Sequence, residues 1–418
     1  MGYLRRQIAE IQSDRVLRLY GVAMAALHVL TVCYWIEQRA VGFLHSRAEP
    51  ICWPLLPACE WLRVLDPAQL SWVLVAYLLG AIAVGALFLS AAQTPSAYWG
   101  LLALNTLKAG IMLLDFRLRM NQHYMAFAAS AAFLFVPGKR SAIRVLVALF
   151  YFWAGTLKLN WEWISGAGLY RPIWLFSGWG VVAACLYVIV LELVVSWGLL
   201  VRRAWIFWAA LAQFVVFHVF SWPVVGFFYP LLMFAILTIY PSCRLMPARS
   251  RSRLEPAAPE DAAESSGLLK RLWRGRERWT TYATLAVFSL LQLTPYAFPG
   301  DRSLTGEGRL YALHMFDARP VCEGYAELRR ADGPPVKVDL KLRLDTRIAC
   351  DPVVFYNRAR NLCRNPETAP VPFRDLDLHL SARRATETSM RPLIALEGFC
   401  GRDVRYHPFR HNPWILAG

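Results

Sequence analysis

The chain has 418 residues, of which 57% are hydrophobic and only 18% are charged, and its formal net charge is +16. A soluble globular protein is about 45–50% apolar and about 25% charged, so the composition excludes an ordinary soluble domain and indicates a polytopic membrane protein. Most of the excess positive charge lies in short loops and one linker, which favours a topology signal and contact with anionic lipids over nucleic-acid binding.

Apolar runs separated by polar turns predict about nine membrane-spanning helices, although several runs are shorter than the usual ~20 residues. The predicted spans cover residues 19–36, 70–89, 99–114, 124–136, 143–157, 180–201, 204–220, 224–240 and 279–298. Between the first two spans, residues 37–69 are too polar to cross the membrane and too apolar for a loop exposed to water. This composition predicts a re-entrant or interfacial helix.

The distribution of Lys and Arg predicts the orientation of these helices, since positive charge is enriched in cytoplasmic loops. The basic residues assigned to the cytoplasm are Lys139, Arg140, Arg202, Arg203 and those of the linker 241–278. An N-terminus in the cytoplasm and an odd number of spans put residues 300–418 outside, in a periplasmic or luminal compartment. Arg117 and Arg119 fall in a loop assigned to the outer side and are an exception to the rule.

The predicted fold is a polytopic α-helical membrane protein with a C-terminal extracytoplasmic domain that is β-rich (α+β). The predicted units are a transmembrane domain at 1–240, a basic cytoplasmic linker with a disordered middle at 241–278, a last transmembrane helix at 279–298 and the outer domain at 300–418. Alternating apolar residues predict half-buried strands at 336–344 and 375–382, and the pattern of 352–364 predicts a helix.

Six of the nine cysteines fall in segments assigned to the outer side, where an oxidising compartment allows disulfides. They are Cys52, Cys59, Cys322, Cys350, Cys363 and Cys400. Six cysteines allow 15 pairings, and their spacing does not select one. No metal site is predicted, because the chain lacks CxxC-type spacing.

Lys158 is the first candidate functional residue, because it ends an apolar helix and precedes an aromatic turn. Burial at the membrane surface disfavours the charged ammonium, which makes a neutral amine available as a base. The alternative is a lysine that snorkels from a helix end to the water.

Other polar residues near predicted spans are His123, His218 and Glu192, with His28 and Lys108 as further examples. The predicted topology brings Lys158, His123 and His218 to the outer face. Glu192 lies near the middle of its span, and the alternative to a cofactor contact is an ion pair with a basic residue on another helix. For Lys108, a position inside a predicted span favours an ion pair between helices. For His28, it favours a packing role.

The turn after Lys158 is rich in aromatic residues, beginning with Trp161 and Trp163. An interfacial aromatic belt explains this composition. The alternative is that these aromatic residues line a pocket for a lipid quinone at the bilayer surface. No GxGxxG, P-loop or nucleophile-elbow pattern occurs, which disfavours nucleotide and serine-hydrolase chemistry.

Residues 154–166 resemble the Ala-Gly-x-x-Lys-Leu-x-x-x-Trp-x-x-Gly signature of vitamin K-dependent gamma-glutamyl carboxylases, which is shared with the wider HTTM (horizontally transferred transmembrane) family. The stretch Asn121-Gln122-His123-Tyr124 resembles that family's Asn-Asn-His-x-Tyr segment. Weaker similarities lie at Cys52–Leu56, at His218 with Gly226-Phe227, at 308–316 and at 356–364.

The resemblance implies a membrane enzyme that couples oxygenation (epoxidation) of vitamin K hydroquinone, or a related quinol, to carboxylation of glutamate in an exported protein or peptide. Its co-substrates would be O2 and CO2. By the resemblance, Lys158 is the base that deprotonates the quinol and His123 assists it. Asn121, His218, Trp161, Trp163 and Glu192 would line the quinol site. A dry pocket suits such a reaction, because water would quench a strong base.

The resemblance also implies a disulfide between Cys52 and Cys363 that joins the outer loop to the β-domain. One departure from the pattern is Leu157, where carboxylases often carry a second lysine. Two alternatives have different functions: a non-carboxylating HTTM protein that matures or modifies an exported peptide or lipid, and a non-catalytic quinone- or lipid-binding assembly factor. Fold alone does not decide among them.

Overall fold

The computed structural model describes residues 2–47, 49–246, 276–315, 318–342 and 347–416, so most of the predicted linker lies outside the described residues. Within them the chain forms a helical bundle followed by a small domain with one antiparallel sheet. Six helices are long and apolar enough to cross a membrane, which is compatible with an integral membrane protein. They are Arg15–Glu37, Pro67–Phe88, Lys139–Leu157, Trp179–Gly198, Ala204–Val225 and Phe228–Leu245.

Helices also occupy the positions of the other three predicted spans, at Thr94–Leu113, Asn121–Phe135 and Arg276–Leu291. These three are shorter or less apolar than the six, so nine crossings and their orientation remain predictions.

Six helices of the bundle are named after a polar residue that lies in the helix or directly follows it. They are the His28 helix (Arg15–Glu37), the Lys108 helix (Thr94–Leu113), the His123 helix (Asn121–Phe135), the Lys158 helix (Lys139–Leu157), the Glu192 helix (Trp179–Gly198) and the His218 helix (Ala204–Val225).

Local sequence explains where several helices begin. A separate amphipathic helix, Tyr3–Ser13, precedes the His28 helix, and the Asp14 carboxylate between them accepts the Val16 N–H at 2.8 Å. Asp66 caps Pro67–Phe88 in a capping box with Gln69. Such caps satisfy amide groups that a helix end would leave without partners.

Among its described residues, the segment 37–69, for which a re-entrant or interfacial helix is predicted, contains the short helix Ala40–Leu44 and the 3-10 turn Cys59–Leu62. Its position is fixed by Arg63, whose guanidinium donates to the Asp115 carboxylate at 2.5 Å. Arg117 also pairs with Asp115, at 2.7 Å, and Arg119 pairs with Asp351 of the small domain at 3.1 Å. Arg117 and Arg119 therefore have structural partners, which accounts for two basic residues in a loop that the predicted topology places on the outer side.

The small domain has the strand order β2-β1-β3-β4, with all neighbours antiparallel. The strands are β1 Pro320–Arg329, β2 Val336–Asp339, β3 Asp375–Arg384 and β4 Arg391–Leu396. The predicted strand at 375–382 is confirmed within β3. The strand predicted at 336–344 is observed as β2, which ends at Asp339, and residues 343–344 lie outside the described residues. The helix Pro352–Arg364 has the predicted bounds, because Asp351 caps its first turn and proline fits its first position.

Gly324 of β1 allows that helix to pack closely on the sheet. A Cβ atom at this position would lie 2.1 Å from the Phe355 ring. Phe355 and the β3 residues Leu376, Leu378 and Leu380 are fully buried and belong to one core cluster. The alternation of leucines along β3 therefore places one face of the strand in the core, as period-two patterning predicts.

The three disulfides differ from the pairing that the resemblance implied. They join Cys52 to Cys59, Cys322 to Cys350 and Cys363 to Cys400. The expected Cys52–Cys363 bridge is wrong, because each sulfur is bonded to a partner within its own unit. Hydrogen bonds instead join the outer loop to the small domain: the Asn357 amide contacts the backbone N–H and C=O of Cys52, both at 3.1 Å.

We expect a non-reducing proteolytic digest of the full-length protein to release three linked peptide pairs: Cys52 with Cys59, Cys322 with Cys350 and Cys363 with Cys400. Mass spectrometry before and after reduction checks this assignment. A Cys52–Cys363 peptide in the unreduced digest would contradict the structure.

Candidate functional site around Lys158

Lys158 follows the last residue of the Lys158 helix and is 1% exposed. Its N–H donates to the Gly155 carbonyl at 3.0 Å, which closes the helix end. The chain then turns, and the Asn160 side chain accepts the Trp163 N–H to start the four-residue helix Trp161–Ile164. The lysine therefore lies at the junction of an apolar helix and the aromatic turn, with its side chain inside the protein.

The Lys158 ammonium is paired with a buried carboxylate. Its Nζ atom lies 2.5 Å from Glu192 Oε2 and 3.3 Å from the Ala154 carbonyl oxygen. Glu192 is fully buried, and the Trp163 ring centroid lies 5.1 Å from the ammonium. Glu192 thus forms the ion pair that the sequence left open as an alternative, and Lys158 does not snorkel to water. Removing one partner of such a pair costs about 3–5 kcal/mol, because the other charge stays buried.

Two local features bring these side chains together. Glu192 lies on a π-helical turn, Leu191–Val195, which interrupts the α-helical hydrogen bonding of its helix, and such turns occur often at functional sites. Gly155 lies against this turn: a Cβ atom there would be 2.9 Å from Leu193 and 3.0 Å from the Glu192 Cβ atom. The missing side chain at Gly155 therefore sets the distance between the two helices.

His218 joins the same region through Tyr151. Its Nε2 atom lies 2.7 Å from the Tyr151 hydroxyl oxygen, and both side chains are buried. Tyr151 precedes Lys158 by two helical turns, which puts both on one side of the helix. The Lys158 charge acts on His218 at electrostatic range, and the Glu192 charge acts on Tyr151.

Two buried polar atoms near the pair have no hydrogen-bond partner among the described residues. They are His218 Nδ1 and Glu192 Oε1. Buried polar groups in proteins are nearly always satisfied, so each of these atoms is available to a bound molecule.

The two tryptophans of the turn have different surroundings. Trp163 is buried, and its indole N–H donates to the Cys185 carbonyl at 3.1 Å, which fixes the ring near Lys158. Trp161 is 65% exposed. Trp163 therefore belongs to the surroundings of Lys158, and Trp161 is typical of an interfacial aromatic residue.

The predicted convergence of His123 with Lys158 is not evident in the contacts. His123 is fully buried among Tyr34, Trp35 and Phe228, and it makes no ring contact or hydrogen bond with Lys158, Glu192 or His218 within the described part of the chain. The nearby Asn121 uses its amide group on the backbone of His314, accepting at 2.8 Å and donating at 3.1 Å. Asn121 therefore joins the bundle to the small domain.

Glu162 is a buried acid that the sequence reasoning missed. Its Oε1 atom accepts the backbone N–H groups of Arg319 and Ala385, at 2.8 and 2.9 Å. These residues flank β1 and β3, so the turn after Lys158 is attached to the sheet of the small domain. An acid within a turn of tryptophans was the available signal, since a buried carboxylate needs specific donors.

Arg384 extends this attachment. Its guanidinium donates to Asp301 at 2.7 Å and lies 3.6 Å from the Glu162 carboxylate. Burial raises the pKa of Asp301, but hydrogen bonds and positive charge from Arg384 outweigh burial and hold that pKa below its ordinary value. The charged network therefore keeps the small domain docked over the Lys158 turn at neutral pH.

One group of potential metal ligands occurs among the described residues: Cys52, Cys59 and Glu60. The two sulfurs are joined in a disulfide, so they do not offer the thiolates that a metal ion requires.

Comparison with family models, with curated proteins and with solved structures finds no match for this chain. The similarity to carboxylases and HTTM proteins therefore rests on the motifs alone.

We expect Gly155→Ala to lower the melting temperature of the purified protein, because its new methyl group meets Leu193 and the Glu192 Cβ atom at about 3 Å. Overpacking of this kind costs about 1–3 kcal/mol. Gly110→Ala is the matched control, since it also lies in a helix and its Cβ would meet nothing within 4 Å. Thermal unfolding of both variants in the same detergent checks the difference. Equal melting temperatures for the two variants would contradict close helix packing at Gly155.

Proposed function

We propose that the protein is a membrane enzyme of the vitamin K-dependent carboxylase type, which oxygenates a quinol and carboxylates glutamate in an exported protein or peptide. The observation that carries the proposal is the buried Lys158–Glu192 pair at a membrane-helix end. Ionisable groups buried in a helical bundle are costly and are concentrated at functional sites.

The side chains around the Lys158–Glu192 pair are of the chemical types that would bind a quinol. The Trp163 ring offers an aromatic surface beside the ammonium, which suits a planar ring. His218 Nδ1 and Glu192 Oε1, buried and without partners among the described residues, are able to hydrogen-bond the hydroxyl groups of a quinol. These residues would hold the ring, with Lys158 as the base.

The proposed role of Lys158 is to accept a proton from a quinol hydroxyl. A lysine acts as a base only as the neutral amine, so its own proton must first leave. The Glu192 carboxylate, 2.5 Å away, offers the acceptor for that proton. When bound, a quinol that reacts with O2 supplies the strong base that removes the glutamate γ-proton, and CO2 then adds to the carbon.

The other residues would position these groups and exclude water. The Tyr151–His218 hydrogen bond orients the imidazole, which leaves its second nitrogen for the substrate. Glu162 ties the turn after Lys158 to the small domain through Arg319 and Ala385. A cover of this kind limits the access of water, which a strongly basic reaction requires.

The proposal includes an orientation. The N-terminus and linker would lie in the cytoplasm and the small domain in a periplasmic or luminal compartment, where an exported substrate and O2 would reach it. Support comes from the three disulfides, all of which lie in the segment 37–69 or the small domain. Disulfides persist in oxidising compartments.

The ion pair also favours one second candidate, a quinone- or lipid-binding protein without catalysis. In that case Lys158 and Glu192 would only satisfy each other inside the bundle. The two candidates differ in whether the bound quinol is converted.

We expect the purified wild-type protein in detergent to form epoxide from vitamin K hydroquinone in the presence of O2, bicarbonate and a glutamate-containing peptide. Lys158→Ala should lower this rate by at least about 100-fold, which is the usual contribution of a general base. Chromatography of the quinone products measures the epoxide, and incorporation of labelled bicarbonate measures carboxylation.

Lys139→Met is the matched control, because Lys139 begins the same helix, is fully buried and contacts Gln7 at 2.6 Å. Its epoxide formation per folded protein should stay near the wild-type rate. Quinol binding without epoxide in the wild type would favour the non-catalytic candidate. Neither binding nor epoxide would contradict both candidates that involve a quinone.

A further inference from the structure

A second group of buried polar side chains lies in another part of the bundle. It consists of His28, Tyr77, Lys108 and His123, which we call the Lys108 cluster. His28 is 2% exposed, Lys108 is 1% exposed and His123 is fully buried. The proposed reaction at Lys158 uses none of these side chains.

Contacts between helices bring the cluster together. Lys108 Nζ lies 4.9 Å from the centroid of the Phe127 ring. Phe127 follows His123 by four residues, so the two side chains lie on one face of the His123 helix, one turn apart. The Lys108 charge acts on both His28 and His123 at electrostatic range. The ammonium and the two imidazoles thus share one region of the bundle.

Lys108 differs from the other two buried lysines of the described chain. Lys158 is paired with Glu192, and Lys139 donates to Gln7 at 2.6 Å and to the Val136 carbonyl at 3.0 Å. Lys108 makes no hydrogen bond or ion pair with any described residue, and its ammonium instead faces the Phe127 ring. A cation–π contact is worth about 2 kcal/mol when desolvated, less than the several kcal/mol that burying an ion costs.

His123 supplies an independent observation. Both of its ring nitrogens are buried and have no hydrogen-bond partner among the described residues. His28, in contrast, has its Nδ1 atom hydrogen-bonded to the Tyr77 hydroxyl. A fully buried imidazole normally uses at least one nitrogen, so His123 has a donor available for a ligand.

We infer that the Lys108 cluster binds a small anion, a halide or a carboxylate, between the Lys108 ammonium and the His123 N–H. The anion would neutralise the buried ammonium and accept a hydrogen bond from the imidazole. Aromatic rings pack around His123, with centroids 5.8 Å away for Trp35 and 5.4 Å away for Phe228, which favours a compact anion over a bulky one. The inference does not rest on the reaction proposed at Lys158.

The test uses the full-length protein in detergent, exchanged into sodium gluconate and titrated with chloride or acetate at constant ionic strength. Tryptophan fluorescence follows thermal unfolding. We expect the melting temperature to rise with the logarithm of the anion concentration above its dissociation constant, by about 2 °C for each tenfold increase. A response to chloride assigns a halide site, and a response to acetate assigns a carboxylate site.

Lys108→Met should remove the response, whereas the control Lys139→Met should retain it. His123→Phe is the second variant, in case the first does not fold. It should raise the anion dissociation constant fitted from the melting temperatures about fivefold or more, as expected for the loss of one hydrogen bond. No response of the wild type to either anion would overturn the inference, as would an unchanged response in the folded variants.

Discussion

The Lys158–Glu192 ion pair is the interaction on which the rest of the site depends. Two opposite charges inside an apolar bundle offset the cost of their burial when they face each other at close range, and here the Nζ–Oε2 distance is 2.5 Å. That requirement fixes the spacing of two helices, which in turn needs a glycine at 155 and a π turn at Leu191–Val195. A pair held this firmly either stabilises the bundle or, as we propose, serves as a base and its proton acceptor.

A second constraint comes from the small domain, which polar contacts and apolar packing at Leu313 and Val354 attach to the bundle without a disulfide between them. Glu162 accepts two backbone N–H groups of the domain, and Asn121 binds the backbone of His314. Arg119 pairs with Asp351 at the start of the domain helix. Each of these contacts lies in a turn or at a helix end of the bundle. The domain therefore covers the same side of the bundle that carries Lys158.

The sequence predicted the parts of the structure that local rules control. The helix Pro352–Arg364 was predicted with its observed bounds from residues that share one helical face, and the structure shows that the Asp351 cap and a proline define its start. The leucine alternation of β3 predicted a strand correctly. β1 was missed, since the small residues Gly324 and Ala326 weaken its apolar pattern, although every second residue from Cys322 to Leu328 is buried.

Contacts between distant segments were not predictable in the same way. Lys158 and Glu192 were each identified as candidates, but their pairing depends on how two helices pack, 34 positions apart in the chain. The grouping of His123 with Lys108 likewise depends on the packing of three helices. The disulfide between Cys52 and its near neighbour Cys59 could not be predicted either, because cysteine spacing does not determine which cysteines pair. Sequence patterns identify unusual residues, whereas tertiary packing decides which of them meet.

A double-mutant cycle on Lys158→Met and Glu192→Leu tests the ion pair most directly. The free energy of unfolding of the wild type, both single variants and the double variant would be measured in one detergent. Each single change should cost about 3–5 kcal/mol, because it leaves one buried charge alone, and the double variant should be more stable than either single variant. Additive losses in the double variant would show that the two side chains do not interact, and would contradict a site built on the Lys158–Glu192 pair.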